Sequence, residues 1–218
     1  AKEFAEVYGD RYISESEEVR RKALVDFALP KNIDSMHEIL SKYRIEYDTW
    51  FKESTLHNGT ELRDTIELLK EKGLTYELDG ALWYKNTEVQ TKRLLAQGKT
   101  QEDIDKLGLK DDVLIRQNGN PTYFAADIAY HRNKLAIRKF DRAIDIWGAD
   151  HHGHVARMKG ALDALGLDGD RLDIVLMQLV RLTRNGEVVR MSKRTGKAIS
   201  LTDLLDEIPV DACRYFFN

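Results

Sequence analysis

Cysteine and proline are scarce in this chain, which has one cysteine and three prolines among its 218 residues. The single Cys213 excludes both an internal disulfide and a metal cluster built from thiolates. No run of apolar residues approaches the roughly 18 residues that a membrane-spanning helix needs. No signal-peptide pattern is visible. These features predict a cytoplasmic protein without a membrane partner.

Charge of one sign is not in excess either. The 34 lysines and arginines oppose 37 aspartates and glutamates, which gives a net charge of -3. This balance argues against a globally basic nucleic-acid-binding protein, but it leaves room for a local basic patch. The sequence starts at Ala1 without an initiator methionine and stops inside a helical pattern, so we expect a piece of a longer protein.

The first 50 residues read as two helices and a strand. A narrow apolar stripe over residues 10–29 predicts a helix that Pro30 ends, and Asn32 or Asp34 is expected to cap a second one. Residues 45–50 alternate between apolar and polar side chains, which predicts a strand.

The remaining pattern alternates between strands and helices, and this order predicts an α/β fold. The polar segment 85–112 is interpreted as an insertion on the surface. The other predicted elements are a helix from Thr60 to Gly73, a hairpin over 74–84 around Asp79-Gly80, a strand at 113–116, a turn at Asn118-Gly119, a helix at about 126–139, a strand at 143–147, a helix over 155–165, a strand at 174–179 covered on both faces, a hairpin over 181–190, and helices starting near Thr202 and Pro209.

The turn Gly148–His154 is the first candidate site, because it leaves the end of a strand and enters a helix N-terminus that favours anions. Asp150 can accept hydrogen bonds from an ammonium group or from ribose hydroxyls. The three histidines can stack, donate to phosphate or bind a metal. A polar helix cap is the plain alternative, and partner ligands for a metal are not obvious elsewhere.

Two further positions carry carboxylates. Tyr123 and Asp127 lie four residues apart and would share one face of a helix, where a phenol and a carboxylate can hold a guanidinium group. From spacing alone, a core tyrosine and a helix charge explain them better. Glu53 follows a predicted strand and, taken alone, reads as a surface residue.

The segment Val189–Lys197 is basic and has almost no apolar periodicity. Between residues 181 and 197, six lysines and arginines accompany the single Glu187. Such a loop suits the delivery of ammonium groups to phosphate oxygens, but a solvated basic loop has the same composition.

Several motifs together resemble a known family. Met191-Ser192-Lys193-Arg194 resembles the Lys-Met-Ser-Lys-Ser loop of class I aminoacyl-tRNA synthetases, with Arg190 in the place of the first lysine. The other motifs occur in the order typical of bacterial arginyl-tRNA synthetases, and the resemblance spans about residues 43–217. These motifs are Gly80–Trp83, Thr122–Phe124 with Asp127–His131, Trp147–His154, and Asp211–Phe217.

This resemblance implies a Rossmann-like catalytic core and a reaction. The family joins L-arginine to ATP, which binds with Mg²⁺, and transfers the arginyl group to tRNA(Arg); the parent enzyme is expected to be monomeric. By similarity, Lys193 neutralises the departing phosphates, an electrostatic stabilisation of developing charge. Ser192 would order the loop or touch phosphate, and Met191 completes the motif.

The same resemblance implies two sets of binding residues. Those implied for ATP are the ring of His154, the backbone near Val188 and Val189, Gly148, Asp150 and Lys193. Those implied for arginine are Tyr123, Asp127, His151 and, as a second carboxylate facing the guanidinium, Glu53; either Asp150 or His151 borders the substrate.

The family's His-Ile-Gly-His motif is absent from this sequence. We therefore expect residues 1–208 to be the second part of a catalytic domain, with 85–112 inserted in it, and 209–218 to begin the junction to a helical anticodon-binding domain. The isolated chain is expected to be inactive. Two alternatives stay open: a metal-dependent phosphoesterase of the Asp-His-His type, with manganese at Asp150-His151-His152, and a non-catalytic fragment that docks tRNA.

Overall fold

A computed structural model of the chain describes residues 1–178, 180–184, 186–188 and 199–217, leaving out the side chain of Arg184. The chain divides into two compact units. We call Phe51–Leu179 the central unit, and Ala1–Trp50 with Val180–Asn218 the terminal unit. Each is described by itself.

The described residues form ten α-helices and seven strands. The helices are α1 (Lys2–Tyr8), α2 (Glu17–Lys42), α3 (Ser54–Asn58), α4 (Glu61–Glu71), α5 (Asn86–Ala96), α6 (Gln101–Asp105), α7 (Tyr123–Arg132), α8 (His152–Leu165), α9 (Leu201–Glu207) and α10 (Val210–Phe217). The strands are β1 (Thr75–Leu78), β2 (Ala81–Tyr84), β3 (Asp112–Ile115), β4 (Ala143–Gly148), β5 (Leu172–Met177), β6 (Thr183–Arg184) and β7 (Glu187–Val188).

The terminal unit contains one long helix where the sequence predicted two. Helix α2 starts at Ser16, whose side chain accepts a hydrogen bond from the backbone N–H of Val19, and it continues through Pro30. The prediction that Pro30 ends a helix is wrong. This helix has no buried residue, so water can satisfy the carbonyl group that proline leaves without a donor.

The predicted strand at 45–50 is also wrong, because these residues form no regular element. The ring of Trp50 instead packs on His37, with ring centroids 3.8 Å apart. The helices expected near Thr202 and Pro209 are confirmed as α9 and α10. Ser200 and Asp203 cap α9 reciprocally in a capping box.

A small core holds the terminal unit together. Tyr43, Leu204 and Cys213 are buried against one another, and partly buried apolar side chains surround them. Arg214 Nη1 donates to the carbonyl oxygen of Tyr43 at 2.9 Å, which links α10 to the end of α2.

The central unit contains an antiparallel sheet in the order β1-β2-β3, which follows α3 and α4 in the chain. The predicted hairpin is confirmed: Asp79 and Gly80 join β1 to β2 with φ angles of 51° and 73°. Left-handed backbone at both central positions is what a tight hairpin turn needs, and an Asp-Gly pair adopts it readily. The predicted strand at 113–116 is present as β3.

A second sheet carries the candidate site. Strands β4 and β5 are parallel, and α8 connects them. Alternate residues of β4 face inward, with Ala143 buried, while Ile144 and Ile146 are exposed. The strand predicted at 174–179 corresponds to β5. The expectation that it is covered on both faces is wrong in this structure, since Val175 and Met177 are partly exposed.

The segment 85–112 is not merely a surface element. It forms α5 and α6, and it buries Asn86, Gln90 and Ile104. Gln90 Nε2 donates to the carbonyl oxygen of Ala156 on α8 at 2.6 Å. The segment is therefore not confined to the surface, although its polar sequence contains few apolar side chains to signal burial; that it is an insertion stays a prediction.

Helices α4, α7 and α8 pack around the largest apolar core, which includes the fully buried Leu114, Ile128, Met158, Leu162 and Leu172. Within the ranges that the structure describes, no helix is long and apolar enough to cross a membrane.

Candidate active site

Helix α7 positions the two residues predicted for a guanidinium ligand. Thr122 caps this helix: its Oγ1 accepts from the backbone N–H of Ala125 at 3.3 Å and donates to the carbonyl oxygen of Val113 at 2.8 Å. The helix therefore starts at Tyr123, three residues earlier than predicted. Tyr123 is 80% exposed, and the side chain of Asp127, one turn later, is 46% exposed.

The carboxyl end of β4 leads directly into the histidine-rich turn. Ala149–His151 form one turn of 3₁₀ helix, and α8 begins at His152. Asp150 and His151 are exposed, and Asp150 Oδ2 lies 3.8 Å from His151 Nε2. A Cβ atom at position 148 would lie 2.5 Å from Asp150 Oδ1, so the exposed side chain of Asp150 would have to move to admit one.

His154 turns inward from the first turns of α8. Its side chain is only 15% exposed, and its Nε2 atom lies 3.1 Å from Asp127 Oδ2. The rings of Trp147 and Phe124 flank it, with centroid distances of 5.3 Å and 5.4 Å. Arg157 Nη2 lies 2.8 Å from its Nδ1 atom. The structure thus places His154 beside the carboxylate predicted to bind arginine.

These residues border a cleft of about 520 Å³ at the carboxyl end of β4. The cleft carries two carboxylates, three histidines and one lysine, so it suits a polar ligand. Its lining residues are Asp127, Tyr130, His131, Lys134, Ile144, Asp145, Ile146, Trp147, His151 and His154.

Asp145 is the second carboxylate of the cleft, and its two oxygens are already paired. His131 Nε2 lies 2.6 Å from Asp145 Oδ2, and Lys134 Nζ lies 2.7 Å from Oδ1. Burial raises the pKa of Asp145, but the hydrogen bonds from His131 and Lys134 outweigh burial and lower the pKa to about 2. This carboxylate is ionised and occupied, so Asp127 is the better candidate for a cationic ligand.

The cleft brings together three of the residues predicted from the sequence: Asp127, His151 and His154. Tyr123 and Glu53 are not among its lining residues. Glu53 precedes α3, and its Oε1 atom lies 3.4 Å from His57 Nε2. The predicted roles of these five residues stay predictions.

Other predicted positions lie elsewhere. Val188 is in β7 of the terminal unit and is exposed. The predicted Val189, Met191, Ser192 and Lys193 lie outside the described residues. Within the described ranges, no group of three or more His, Cys, Asp or Glu side chains is placed to hold a metal ion.

Sequence reasoning did not identify Arg157, Asp112 or Asp145. A signal for Asp145 was available, because it interrupts the inward-facing series Ala143, Asp145, Trp147 of an apolar strand. A carboxylate at such a position needs buried partners. Arg157 follows His154 by three residues on a helix, which is also a contact spacing.

Comparison with known proteins agrees with this architecture. The family model for tRNA synthetases class I (R), catalytic domain, matches residues 9–215. An arginine--tRNA ligase from Caldanaerobacter subterraneus is 55% identical over 218 residues, which are all of this chain and 36% of that protein. The corresponding enzyme of Ruminiclostridium cellulolyticum is 54% identical over 217 residues, again covering 36% of its length. The chain thus spans just over a third of these relatives.

Solved structures support the fold. A crystal structure assigned as an arginyl-tRNA synthetase from Campylobacter jejuni has a TM-score of 0.78 and 36% identity, covering 99% of this chain and 42% of that one. The Thermus thermophilus arginyl-tRNA synthetase is 18% identical with a TM-score of 0.66, over 93% of this chain and 38% of its own; it shows the fold alone. The predicted fold class is confirmed, and the chain belongs to the family of class I arginyl-tRNA synthetase catalytic domains.

Proposed function

We propose that this chain is part of an arginine–tRNA ligase, which activates L-arginine with ATP and transfers the arginyl group to tRNA(Arg). The relatives named as arginine--tRNA ligases support this proposal through their identity over the whole chain. The observation that carries it is the state of Asp127. One of its oxygens is held by His154, whereas Oδ1 has no hydrogen-bond partner among the described residues.

A free carboxylate oxygen at the edge of a cleft suits the guanidinium group of arginine. A guanidinium group is planar and always charged, and it forms its strongest hydrogen bonds with carboxylates. In this proposal Asp127 accepts from the guanidinium, Tyr123 contacts it from one turn earlier on α7, and His151 borders the substrate. Glu53 is the second carboxylate, although it faces His57 in this structure.

The ATP site is proposed for the carboxyl end of β4 and the basic loop. The N-terminus of α8 and the turn with Gly148 and Asp150 suit a nucleotide, because helix N-termini attract anions. In this proposal the backbone near Val188 and Val189 lies beside the adenine of ATP. The contact between His154 and Asp127 does not argue for an adenine contact, so that role of His154 rests on the family resemblance alone.

The chemistry of activation needs positive charge where pyrophosphate leaves. In this proposal Lys193 supplies it, assisted by Ser192 and Met191 of the same loop and by Mg²⁺ bound to ATP. An ammonium group that binds more tightly as charge develops lowers the barrier more than one that binds ATP equally well throughout.

The domain arrangement is part of the same proposal. Residues 1–208 would belong to the catalytic domain, with 85–112 inserted, and 209–218 would begin the junction to an anticodon-binding domain. The helical conformation of α10 supports the last assignment. The enzyme is proposed to be a cytoplasmic monomer, and the isolated chain is proposed to lack pyrophosphate exchange.

A chimera tests this proposal. In it, the chain replaces the matching segment of the Caldanaerobacter enzyme, and arginine-dependent pyrophosphate exchange and tRNA charging are measured. We expect both activities. Asp127→Asn should raise the KM for arginine by roughly 10- to 100-fold, the effect of losing a charge-assisted hydrogen bond.

The control is Asp141→Asn, which changes an exposed carboxylate just before β4 and should leave the KM for arginine within about threefold of the parent value. A chimera that folds but does not activate arginine would refute the proposed function. An unchanged KM in Asp127→Asn would remove Asp127 from the arginine pocket.

A further inference from the structure

Four polar side chains from three elements of the central unit form a continuous network, which we call the polar network: Asp112 of β3, Arg157 and His154 of α8, and Asp127 of α7. Arg157 Nη1 donates to Asp112 Oδ1. Arg157 Nη2 lies 2.8 Å from His154 Nδ1. His154 Nε2 lies 3.1 Å from Asp127 Oδ2.

The chemistry of arginine sets the direction of every hydrogen bond in this network. A guanidinium group has only donors, so Nδ1 of His154 must accept. A neutral imidazole with an accepting Nδ1 carries its proton on Nε2. Nε2 therefore donates to Asp127, and the network selects one tautomer of His154.

The surroundings restrict the ring further. Trp147 and Phe124 flank His154, and the guanidinium of Arg157 lies 5.5 Å from the centroid of the Phe124 ring. The aromatic walls thus contact two members of the polar network. These contacts leave His154 little freedom to turn away from Asp127.

The pair of Asp112 and Arg157 is costly for the fold. Burial raises the pKa of Asp112, and the charge of Arg157 offsets only part of that effect. Asp112 Oδ2 and Arg157 Nε are buried without a hydrogen-bond partner within the part of the chain that the structure describes. A pair of this kind contributes little net stability, which points to a role other than holding the fold together.

We infer that Arg157 and Asp112 are positioning residues that act through His154: they fix its Nε2–H tautomer, so that Asp127 presents an oriented Oδ1 to the guanidinium of the substrate. This inference rests on the proposed function for its ligand. The tautomer of His154 does not depend on any ligand, and it can be measured in the chain as it stands.

The first measurement is nitrogen NMR of the chain labelled with ¹⁵N-histidine. In the parent chain, His154 should show an unprotonated Nδ1 and a protonated Nε2. Arg157→Lys keeps the charge but offers one point donor in place of a fork, so it cannot reach both Asp112 and His154. We expect a mixture of tautomers in this variant.

The matched control is Arg93→Lys. Arg93 also bridges two carboxylates, Asp163 and Asp170, and it also contacts α8, but these two contacts are distant from His154 in the network. Arg93→Lys should lower the free energy of unfolding by about as much as Arg157→Lys does, and it should leave the tautomer of His154 unchanged. A change in Arg93→Lys as large as that in Arg157→Lys would overturn the inference, because general loosening of α8 would then explain both.

The second measurement is arginine kinetics in the chimera. Arg157→Lys should raise the KM for arginine about tenfold while kcat stays within about twofold, because the network orients a binding group. His154→Gln keeps an N–H donor for Asp127 and should retain more arginine affinity than His154→Leu.

Each outcome is decisive. A tautomer shift together with a raised KM supports the inference. An unchanged tautomer in Arg157→Lys overturns it, and so does a shifted tautomer with an unchanged KM. A parent chimera without arginine activation is a different result: it refutes the proposed function, removes arginine as the ligand of this network, and leaves the NMR result to report on the tautomer alone.

Discussion

Two aspartates of the same cleft differ in how fully their oxygens are used. Asp145 has a side chain that is 10% exposed, and both of its oxygens are paired, one with His131 and the other with the ammonium group of Lys134. Asp127 is 46% exposed, and His154 holds only one of its oxygens. Both contact a histidine, so the residue type of the partner does not separate them. The difference teaches that a carboxylate whose two oxygens both have partners belongs to the fold, whereas a carboxylate with one oxygen left over is available to a ligand.

Replacing each aspartate by asparagine tests this difference most strongly. Asp145→Asn leaves the buried His131 and the partly buried Lys134 facing a neutral group, and we expect it to lower the free energy of unfolding of the chain by about 3 kcal/mol. Asp127→Asn should change it by less than about 1 kcal/mol. Urea denaturation followed by circular dichroism measures both. Equal losses in the two variants would abolish the distinction.

The pH dependence of stability sharpens the comparison. The pKa of Asp145 is lowered to about 2 in the folded chain, from an ordinary value of 3.8. A lowered pKa means that the unfolded chain binds the proton more readily than the folded chain does. The stabilisation of the fold by ionised Asp145 is therefore present above about pH 4 and is lost as the pH falls toward 2. Its size is on the order of 2 kcal/mol.

Comparing the parent chain with Asp145→Asn at each pH removes the contributions of the other carboxylates to the free energy of unfolding, because both proteins share them. The stability difference between the parent chain and Asp145→Asn should be largest above pH 5 and should shrink as the pH falls below 4. A difference for Asp145→Asn that does not change between pH 5 and pH 3 would show that its charge does not stabilise the fold.

The smallest expected effect concerns Tyr123, which is 80% exposed. Tyr123→Phe should leave the unfolding free energy of the chain within about 0.5 kcal/mol of the parent value. In the chimera it should raise the KM for arginine about threefold, because one neutral hydrogen bond is lost. A loss of stability without a change in KM would assign Tyr123 to the fold and not to the ligand.

Local chemistry made part of the fold predictable. The hairpin follows from Asp79-Gly80, which supplies the backbone that a tight turn needs, and α4 follows from the helical spacing of its apolar residues. The resemblance to class I aminoacyl-tRNA synthetases added the expectation that this α/β fold is Rossmann-like. The start of α7 was placed too late because the capping role of Thr122 was not recognised.

Errors arose where tertiary contacts or solvent overrule local preference. Pro30 lies inside an exposed helix, where the lost hydrogen bond can be replaced by water. Residues 45–50 alternate like a strand but have no neighbouring strand in the described structure with which to pair. The buried side of segment 85–112 uses Asn86 and Gln90, which hydrogen-bond to backbone carbonyl groups and so lack the apolar signature of a core.

The site was predictable only in part for the same reason. The histidine-rich turn and the spacing of Tyr123 and Asp127 are visible in the sequence. The contact between Asp127 and His154 joins residues 27 positions apart, and the link from Arg157 to Asp112 joins residues 45 apart. Such contacts depend on how α7, α8 and β3 pack, which no local pattern encodes.

The close fit between α5 and α8 has a consequence for protein engineering. A Cβ atom on Gly160 would lie 2.1 Å from Gln90 Nε2, so the buried side chain of Gln90 fills the space between the two helices. A shortened chain that lacks residues 85–112 would uncover this glycine side of α8 and remove the side-chain donor to the carbonyl group of Ala156. The segment that resembles a removable insertion is therefore a support for the helix that carries His154 and Arg157.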